Sequence, residues 1–169
     1  THVKDMEIVA ALMNRIAKEY PNVEFFCVGD IRLSTLFKGS PNAEFMLGTT
    51  FEAWPSKLRG MRADIGLAPV QDTLFSRCKS WIKPLEYGIN EIPCVASDVE
   101  PYRELFRNNK DFPVRLAKTE DDWYNNLKEL IEDKKLRDEE GKRLYNEVKE
   151  NFDLQKHIDM WAKAYKSLL

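Results

Sequence analysis

Two lysines and a glutamate have a spacing in this sequence that suits the binding of a ligand. Lys79, Lys83 and Glu86 stand at i, i+4 and i+7, which predicts that they share one face of a helix. Lysine ammonium groups attract anions, and a glutamate one turn deeper accepts hydrogen bonds from sugar or ribose hydroxyls. The spacing also fits a plain surface pair between Lys83 and Glu86, which would stabilise the protein by less than about 1 kcal/mol.

The predicted helix starts near residue 80, where the first backbone amides are free to bind an anion. The amides of Ser80, Trp81 and Ile82, together with the helix dipole and the two lysines, would hold a diphosphate. The opposite face carries Ile82, Leu85 and Ile89, which we expect to pack on a sheet. The pattern therefore predicts a phosphate site on a helix that covers a sheet.

Other groups that could do chemistry give weaker signals. Asp72 is a loop carboxylate that could meet a ligand or serve as a turn residue. His2 and His157 have no carboxylate or cysteine at ligand spacing, so we expect core or surface roles and no metal site. The glycine-rich dinucleotide fingerprint, the P-loop and the Gly-x-Ser-x-Gly elbow of hydrolases are all missing from the sequence.

Short apolar segments alternate with helical patterns along the chain. The predicted strands cover residues 23–28, 43–47, 65–68, 93–97 and 113–116. The predicted helices cover residues 4–20, 56–61, 82–89, 101–107, 136–152 and 154–169, and a further helix is capped by Thr119. This alternation favours an α/β domain whose parallel sheet is covered by helices on both faces. Ligands of such sheets bind at the carboxyl ends of the strands.

The chain begins with a helix rather than a strand. In a doubly wound domain the first helix follows a first strand, and residues 1–3 leave no room for one. Either the sheet starts unusually or the sequence is cut from something longer, and we favour the second interpretation.

The composition indicates a globular protein and argues against several classes of function. Of the 169 residues, 43% are hydrophobic and 32% are charged, which suffices for a core. No apolar run approaches the roughly 18 residues of a membrane-spanning helix, and no secretory signal is visible. The formal net charge of −2 gives no general attraction for nucleic acid. Cys27, Cys78 and Cys94 lack CxxC spacing, which argues against disulfides and zinc and favours the cytoplasm.

One stretch of the sequence resembles a known family. Residues 75–88 read FSRCKSWIKPLEYG, residues 92–98 read IPCVASD, and ADIGLAP precedes them at 63–69. In this order and spacing they resemble the carboxy-terminal, donor-binding domain of group 1 glycosyltransferases with the GT-B fold. The segments at 121–133 and 161–169 are similar to late helices of that domain, so the resemblance spans essentially the whole chain.

The resemblance implies both a fold and a function. GT-B enzymes consist of two Rossmann-like domains, of which the second holds the nucleotide-sugar and the first binds the acceptor. Residues 1–169 would then form one nucleotide-sugar-binding domain, a three-layer parallel sheet with extra C-terminal helices, within a larger two-domain protein. The implied activity is metal-independent transfer of a hexose to a glycan or other acceptor, with no cofactor. Without the N-terminal acceptor-binding domain, the chain should bind the donor but turn it over poorly.

The resemblance also assigns roles to residues. Glu86 matches the second glutamate of the family's Glu-x7-Glu motif, which holds the donor ribose. The first glutamate falls at Cys78, so the contact with the donor sugar departs from the family pattern, and Lys79 or Asp72 could take it over. The residues at the diphosphate would be Lys79, Ser80, Trp81, Ile82 and Lys83. The loop expected to meet the base consists of Gly48, Thr49, Thr50 and Phe51.

Two other functions remain open from the sequence. The chain could be a nucleotide- or phosphate-binding module of the same fold without transferase activity, an interpretation that Cys78 supports. It could also be an interaction domain whose charged C-terminal helices dock a partner.

Overall fold

Helices and short parallel strands alternate along the chain in the computed structural model, which describes residues 3–40 and 42–168. The strands are β1 (Phe25–Gly29), β2 (Ala43–Leu47), β3 (Gly66–Ala68), β4 (Cys94–Ser97) and β5 (Arg115–Ala117). The helices are α1 (Val3–Glu19), α2 (Trp54–Met61), α3 (Leu74–Arg77), α4 (Ile82–Gly88), α5 (Glu100–Arg103), α6 (Glu120–Glu132), α7 (Lys134–Asn151) and α8 (Leu154–Lys166). Short 3₁₀ segments follow β1 and α5, at Ile31–Phe37 and Glu104–Phe106. The predicted α/β class is confirmed.

Local sequence explains where the long helices form. Helix α1 buries a stripe at helical spacing that consists of Val9, Leu12, Met13 and Ile16. Pro21 follows its end. Helix α6 begins at the cap expected at Thr119, which the structure shows to be a capping box: the Thr119 side chain accepts from the amide of Asp122, and the Asp122 carboxylate accepts from the amide of Thr119.

The five strands form two parallel sheets rather than the single sheet expected from the sequence. In the first sheet, β1 pairs with β2 from Phe25 opposite Ala43 to Gly29 opposite Leu47. In the second, β4 lies between β3 and β5. Strands β1 and β3 therefore have one paired edge each, and their other edges are not joined to each other.

Apolar clusters lie on opposite faces of β4 and hold the helices to the sheets. On one face, α1 packs with Cys27 of β1, Val95 of β4 and Trp123 of α6. On the other face, Ala96 of β4 packs with Leu144 of α7. Because neighbouring residues of a strand point to opposite faces, Val95 and Ala96 belong to different clusters. Helix α1 thus contributes to a core that both sheets share.

The two sheets run in the same direction. Near the start of α1, Asp5 accepts a hydrogen bond from the amide of Gln71, just after β3. At its far end, the hydroxyl of Tyr20 donates to Glu132, the last residue of α6, at 2.6 Å, and this bond raises the pKa of Tyr20 to about 12. Helix α1 therefore runs from the carboxyl end of β3 towards the amino ends of the strands, where the chain enters β1.

Segment 73–89 differs from the prediction in two ways. Helix α4 begins at Ile82 rather than near Ser80, so Lys79 precedes the helix and shares no helical face with Lys83. The cause is the short helix α3, which Thr73 caps and which requires a turn before α4 can start. The packing prediction was wrong for Ile82 and Ile89, which are 47% and 41% exposed, whereas Leu85 is partly buried and packs against an apolar cluster as expected.

Helix α8 buries none of its residues. Its apolar side chains lie at helical spacing in one exposed stripe of Leu154, Ile158, Trp161 and Tyr165. Across residues 3–40 and 42–168, no helix is long and apolar enough to cross a membrane.

Candidate functional site

A cleft of about 1110 Å³ opens between the two sheets. Its walls include the unpaired edges of β1 and β3 and side chains of α1, α2, α4 and α6. At the end where the strands finish, the polar lining residues are Asp5, Asp30, Lys79, Ser80 and Lys83. Parallel sheets bind their ligands at this end, so these groups form the candidate site.

Glu86 lies at the border of the cleft and joins two side chains that line it. Its Oε2 atom accepts a hydrogen bond from the indole nitrogen of Trp54 at 3.0 Å and another from the Lys83 ammonium at 2.7 Å. The same ammonium lies 4.8 Å from the centre of the Trp54 ring. The side chains of Glu86 and Lys83 are 20% and 44% exposed, which leaves both within reach of a ligand.

Lys79 is fixed at the wall of the cleft by contacts with other segments. Its ammonium lies 3.1 Å from Oδ2 of Asp5, whose side chain is only 8% exposed. The other carboxylate oxygen of Asp5 accepts the Gln71 amide at 2.9 Å. The Lys79 ammonium also lies 5.5 Å above the centre of the Phe75 ring. The charge of Lys79 therefore has a defined position beside the same space that Lys83 lines.

The arrangement suits a ligand that carries both negative charge and hydroxyl groups. The ammonium groups of Lys79 and Lys83 attract anions and donate hydrogen bonds to their oxygens. The carboxylate of Glu86 accepts hydrogen bonds from hydroxyls, and Trp54 offers an apolar ring beside it.

Most of the residues predicted to bind a diphosphate line the cleft. Lys79, Ser80, Ile82 and Lys83 do so. Trp81 does not, and its ring packs edge-on against Phe152 at a centroid distance of 5.1 Å.

The residues expected at a donor sugar do not line the cleft. Asp72 pairs with Arg77, whose Nε lies 2.7 Å from Oδ1, and this hydrogen bond lowers the pKa of the Asp72 carboxyl. Cys78 follows α3 and exposes its thiol.

The loop expected to meet a base also lies outside the lining. Gly48, Thr49, Thr50 and Phe51 follow β2 and are exposed. The carbonyl of Thr50 accepts the amide of Trp54 at 3.1 Å, so this loop leads directly into the residue that contacts Glu86. The loop is therefore connected to the site through Trp54.

Two residues of the site were missed in the sequence. Trp54 follows the loop after β2, where a ligand contact was expected, but its pairing with Glu86 crosses 32 positions of the chain. Asp5 meets Lys79 across 74 positions. Trp54 could have been predicted from its position after the carboxyl end of β2. No pattern in the sequence predicted that Asp5 would contact Lys79.

Among the described residues, neither His157 nor Cys94 lines the cleft, and Cys27 lines it only as part of β1. Within the described ranges, no group of three or more His, Cys, Asp and Glu is arranged to hold a metal ion. His157 lies with Nε2 at 3.2 Å from the carbonyl oxygen of Glu150, and His2 lies outside the described residues. Cys27 and Cys94 are buried, and burial raises the pKa of both thiols.

The chain matches no protein-family model and no curated protein. A function for the site has to be inferred from its own residues and geometry.

Proposed function

We propose that this chain is the donor-binding domain of a glycosyltransferase, similar to the C-terminal domain of group 1 enzymes with the GT-B fold. In this function a hexose moves from a nucleotide-sugar to a glycan or other acceptor. The observation that carries the proposal is the cluster of Glu86, Lys83 and Trp54 beside a cleft that Lys79 also lines. A nucleotide-sugar has the matching chemistry, since it joins a diphosphate to hydroxyl-rich rings.

The lysines would contact the diphosphate of the donor, and Glu86 would contact its ribose. The diphosphate would lie against the ammonium groups of Lys79 and Lys83 and the backbone of Ser80 and Ile82. The ribose hydroxyls would donate to the carboxylate of Glu86, which Trp54 holds in position through its indole N–H. A carboxylate that is already oriented loses less freedom when the ligand binds.

The two ends of the donor would reach beyond the lining of the cleft. We assign the base to the loop that contains Gly48, Thr49, Thr50 and Phe51, because this loop leads into Trp54. The hexose would lie towards Cys78 and Asp72, at the exposed border of the site.

Transfer breaks the bond between the anomeric carbon and the diphosphate and forms a bond to an acceptor oxygen. The electron pair of the broken bond leaves with the nucleoside diphosphate, and the proton of the acceptor hydroxyl passes to that diphosphate or to solvent. Lys79 and Lys83 would stabilise the added negative charge of the leaving group, which is the electrostatic part of catalysis.

The fold class and one exposed surface support the same proposal. Parallel strands with apolar clusters on both faces of β4 are compatible with a Rossmann-like, three-layer half of a GT-B fold. The exposed stripe on α8, which includes Trp161 and Tyr165, offers a surface on which an N-terminal acceptor-binding domain could pack. We propose that residues 1–169 act as one nucleotide-sugar-binding domain of a cytoplasmic two-domain transferase, and that acceptor turnover requires the other domain.

Calorimetric titration of the full chain with UDP, GDP and ADP, without added metal, tests the proposal. We expect one of the three nucleotides to bind. The substitution Glu86→Gln should weaken its binding about tenfold or more, because hydrogen bonds to a charged group contribute about 1.5–3 kcal/mol. Lys83→Met should have a similar effect, since it removes a cation from the diphosphate.

A pair of the same composition on α7 provides matched controls. Lys135 and Glu139 form an exposed i, i+4 pair outside the cleft, so Lys135→Met and Glu139→Gln should leave nucleotide binding unchanged. Absence of binding by all three nucleotides, or binding that Glu86→Gln and Lys83→Met do not affect, would contradict the proposal.

A second candidate is a module that binds a nucleotide without transferring a sugar. Cys78 favours this candidate, because an exposed thiol stands where the resemblance implies a glutamate on the donor sugar. Titrations with UDP against UDP-glucose, and with the corresponding GDP and ADP pairs, separate the two functions. A donor-binding domain gains affinity from the hexose, a nucleotide-binding module gains none, and a docking domain binds neither ligand.

A further inference from the structure

The cleft has the shape of an unfilled position in a parallel sheet. All five residues of β1 and all three residues of β3 line it. A strand that shows one face to a cavity contributes only alternate residues, whereas a strand that shows its edge contributes every residue. Strands β1 and β3 therefore face each other across the cleft edge to edge, and they run in the same direction.

Backbone groups on both edges point into the cleft. The amides of Phe25 and Gly66 donate towards β2 and β4, respectively, to Asn42 and Pro93. Successive residues of a strand direct their N–H and C=O groups to alternate sides. The groups directed into the cleft are therefore those of Phe26, Val28, Ile65 and Leu67.

One of these carbonyls already has a side-chain partner. The hydroxyl of Tyr87 donates to the carbonyl of Leu67 at 2.9 Å. A tyrosine hydroxyl thus satisfies part of a sheet edge that would otherwise pair with a strand, and the carbonyl keeps a second lone pair.

The surfaces above and below the gap are apolar. Apolar groups that line it include Met6 and Ile16 of α1, Leu127 and Ile131 of α6, and Ile82 and the ring of Tyr87 of α4. Since α1 and α6 lie on one face of the sheet and α4 on the other, a strand in this gap would be covered on both faces. Strands in such positions are nearly continuous runs of Val, Ile and Leu.

We propose that this gap, the strand slot, binds one extended apolar polypeptide segment of about five residues as an added strand, parallel to β1 and β3. Such a segment carries N–H and C=O groups on both edges and can pair with β1 and β3 at once. A nucleotide offers no matching series of groups along the roughly 16 Å length of β1. The polar end at Lys79 and Lys83 stays open, so this inference does not depend on the proposed function.

Hydrogen exchange followed by NMR on the full chain tests the strand slot. The probe is a synthetic peptide with the sequence KKVIVVIKK, in which lysines keep the apolar segment soluble. At saturation it should slow exchange of the slot-facing amides about tenfold or more, because they become hydrogen-bonded. These are the amides of Phe26, Val28, Ile65 and Leu67. The amide of Phe25 is already paired and should not change.

Two controls separate strand pairing from adhesion of an apolar peptide. A peptide with proline at its central position has the same charge but loses a donor, and it should not slow exchange. Val28→Pro removes a donor from the slot edge of β1, where proline is tolerated, and should weaken protection on β3 as well as β1. Circular dichroism checks that this variant folds.

Three results would overturn the proposal. The first is unchanged exchange with the KKVIVVIKK peptide, and the second is slowing on only one of the two strands, which indicates simple addition to an edge. The third is slowing without peptide that grows with protein concentration, which means that a second copy of the chain fills the slot. Nucleotide titration depends on Glu86 and Lys83 instead, so the strand slot and the proposed function can fail separately.

Discussion

Asp5 is a buried carboxylate whose two oxygens bind different segments of the chain. Oδ1 accepts the amide of Gln71 at 2.9 Å and Oδ2 lies 3.1 Å from the ammonium of Lys79. These bonds join the start of α1 to the loop after β3 and fix the charge of Lys79 at the cleft. Asp5 thereby links the stability of the fold to the geometry of the candidate site.

The substitution Asp5→Ala should lower the free energy of unfolding by about 1–3 kcal/mol, because it leaves the Gln71 amide and a largely buried ammonium without this acceptor. Asp5→Asn should cost less, since its amide oxygen can still accept from Gln71. Urea denaturation followed by circular dichroism measures both changes. As a control, Asp138→Ala removes an exposed carboxylate on α7 and should change stability by less than about 0.5 kcal/mol. Equal losses for Asp5→Ala and Asp138→Ala would contradict this role.

Among the elements, α7 approaches the end of α4 closely enough to exclude a side chain. A Cβ on Gly141 would clash with the carbonyl oxygen of Glu91, and one on Gly88 would lie 2.8 Å from Leu144. Glycine in the middle of a helix normally weakens it, so Gly141 within α7 is explained by this contact.

Gly141→Ala should therefore destabilise the protein by about 1–3 kcal/mol through overpacking, although alanine has the higher helix propensity. Gly60 in α2 is the matched control, because a Cβ there would meet no atom within 4 Å. Gly60→Ala should instead stabilise the protein by about 0.5–1 kcal/mol. Thermal unfolding of the two variants gives the comparison, and stabilisation by both would show that α7 does not approach Glu91 so closely.

The elements were more predictable from the sequence than their orientations. Periodicity is a local property, so the five strands and the long helices were found near their observed positions. The buried face of α4 was predicted only in part: Leu85 packs on the core as expected, but the fully buried positions are Pro84 and Gly88, which give no hydrophobic pattern, and Ile82 and Ile89 stay exposed.

The candidate site shows the same division between local and distant contacts. Lys83 and Glu86 are three residues apart on one helix, so their pairing followed from spacing. The contacts of Glu86 with Trp54 and of Lys79 with Asp5 join segments far apart in the chain, and no periodicity encodes them. The division of the strands into two sheets depends on pairing between distant segments, so it could not be predicted from the sequence pattern either.

On the scale of the whole molecule, α8 stands apart from the two apolar clusters. The clusters draw on α1, α6 and α7 and on strands of both sheets, whereas α8 contributes no buried residue. Its apolar stripe, which includes Ile158 and Trp161, faces solvent instead. Burial of apolar surface is the main source of folding free energy, so α8 should add little to the stability of this chain.

Removal of residues 153–169 should therefore change the free energy of unfolding by less than about 0.5 kcal/mol. The slope of this free energy against urea concentration should also stay nearly unchanged. Removal of residues 134–169 is the contrasting case, because it deletes Leu144 and Val148 from the core and should prevent cooperative folding. In the full chain, Trp161 should be readily quenched by acrylamide. A loss above about 2 kcal/mol on removing α8 alone would mean that its stripe packs on this domain, and it would remove the surface on which the proposed acceptor-binding domain depends.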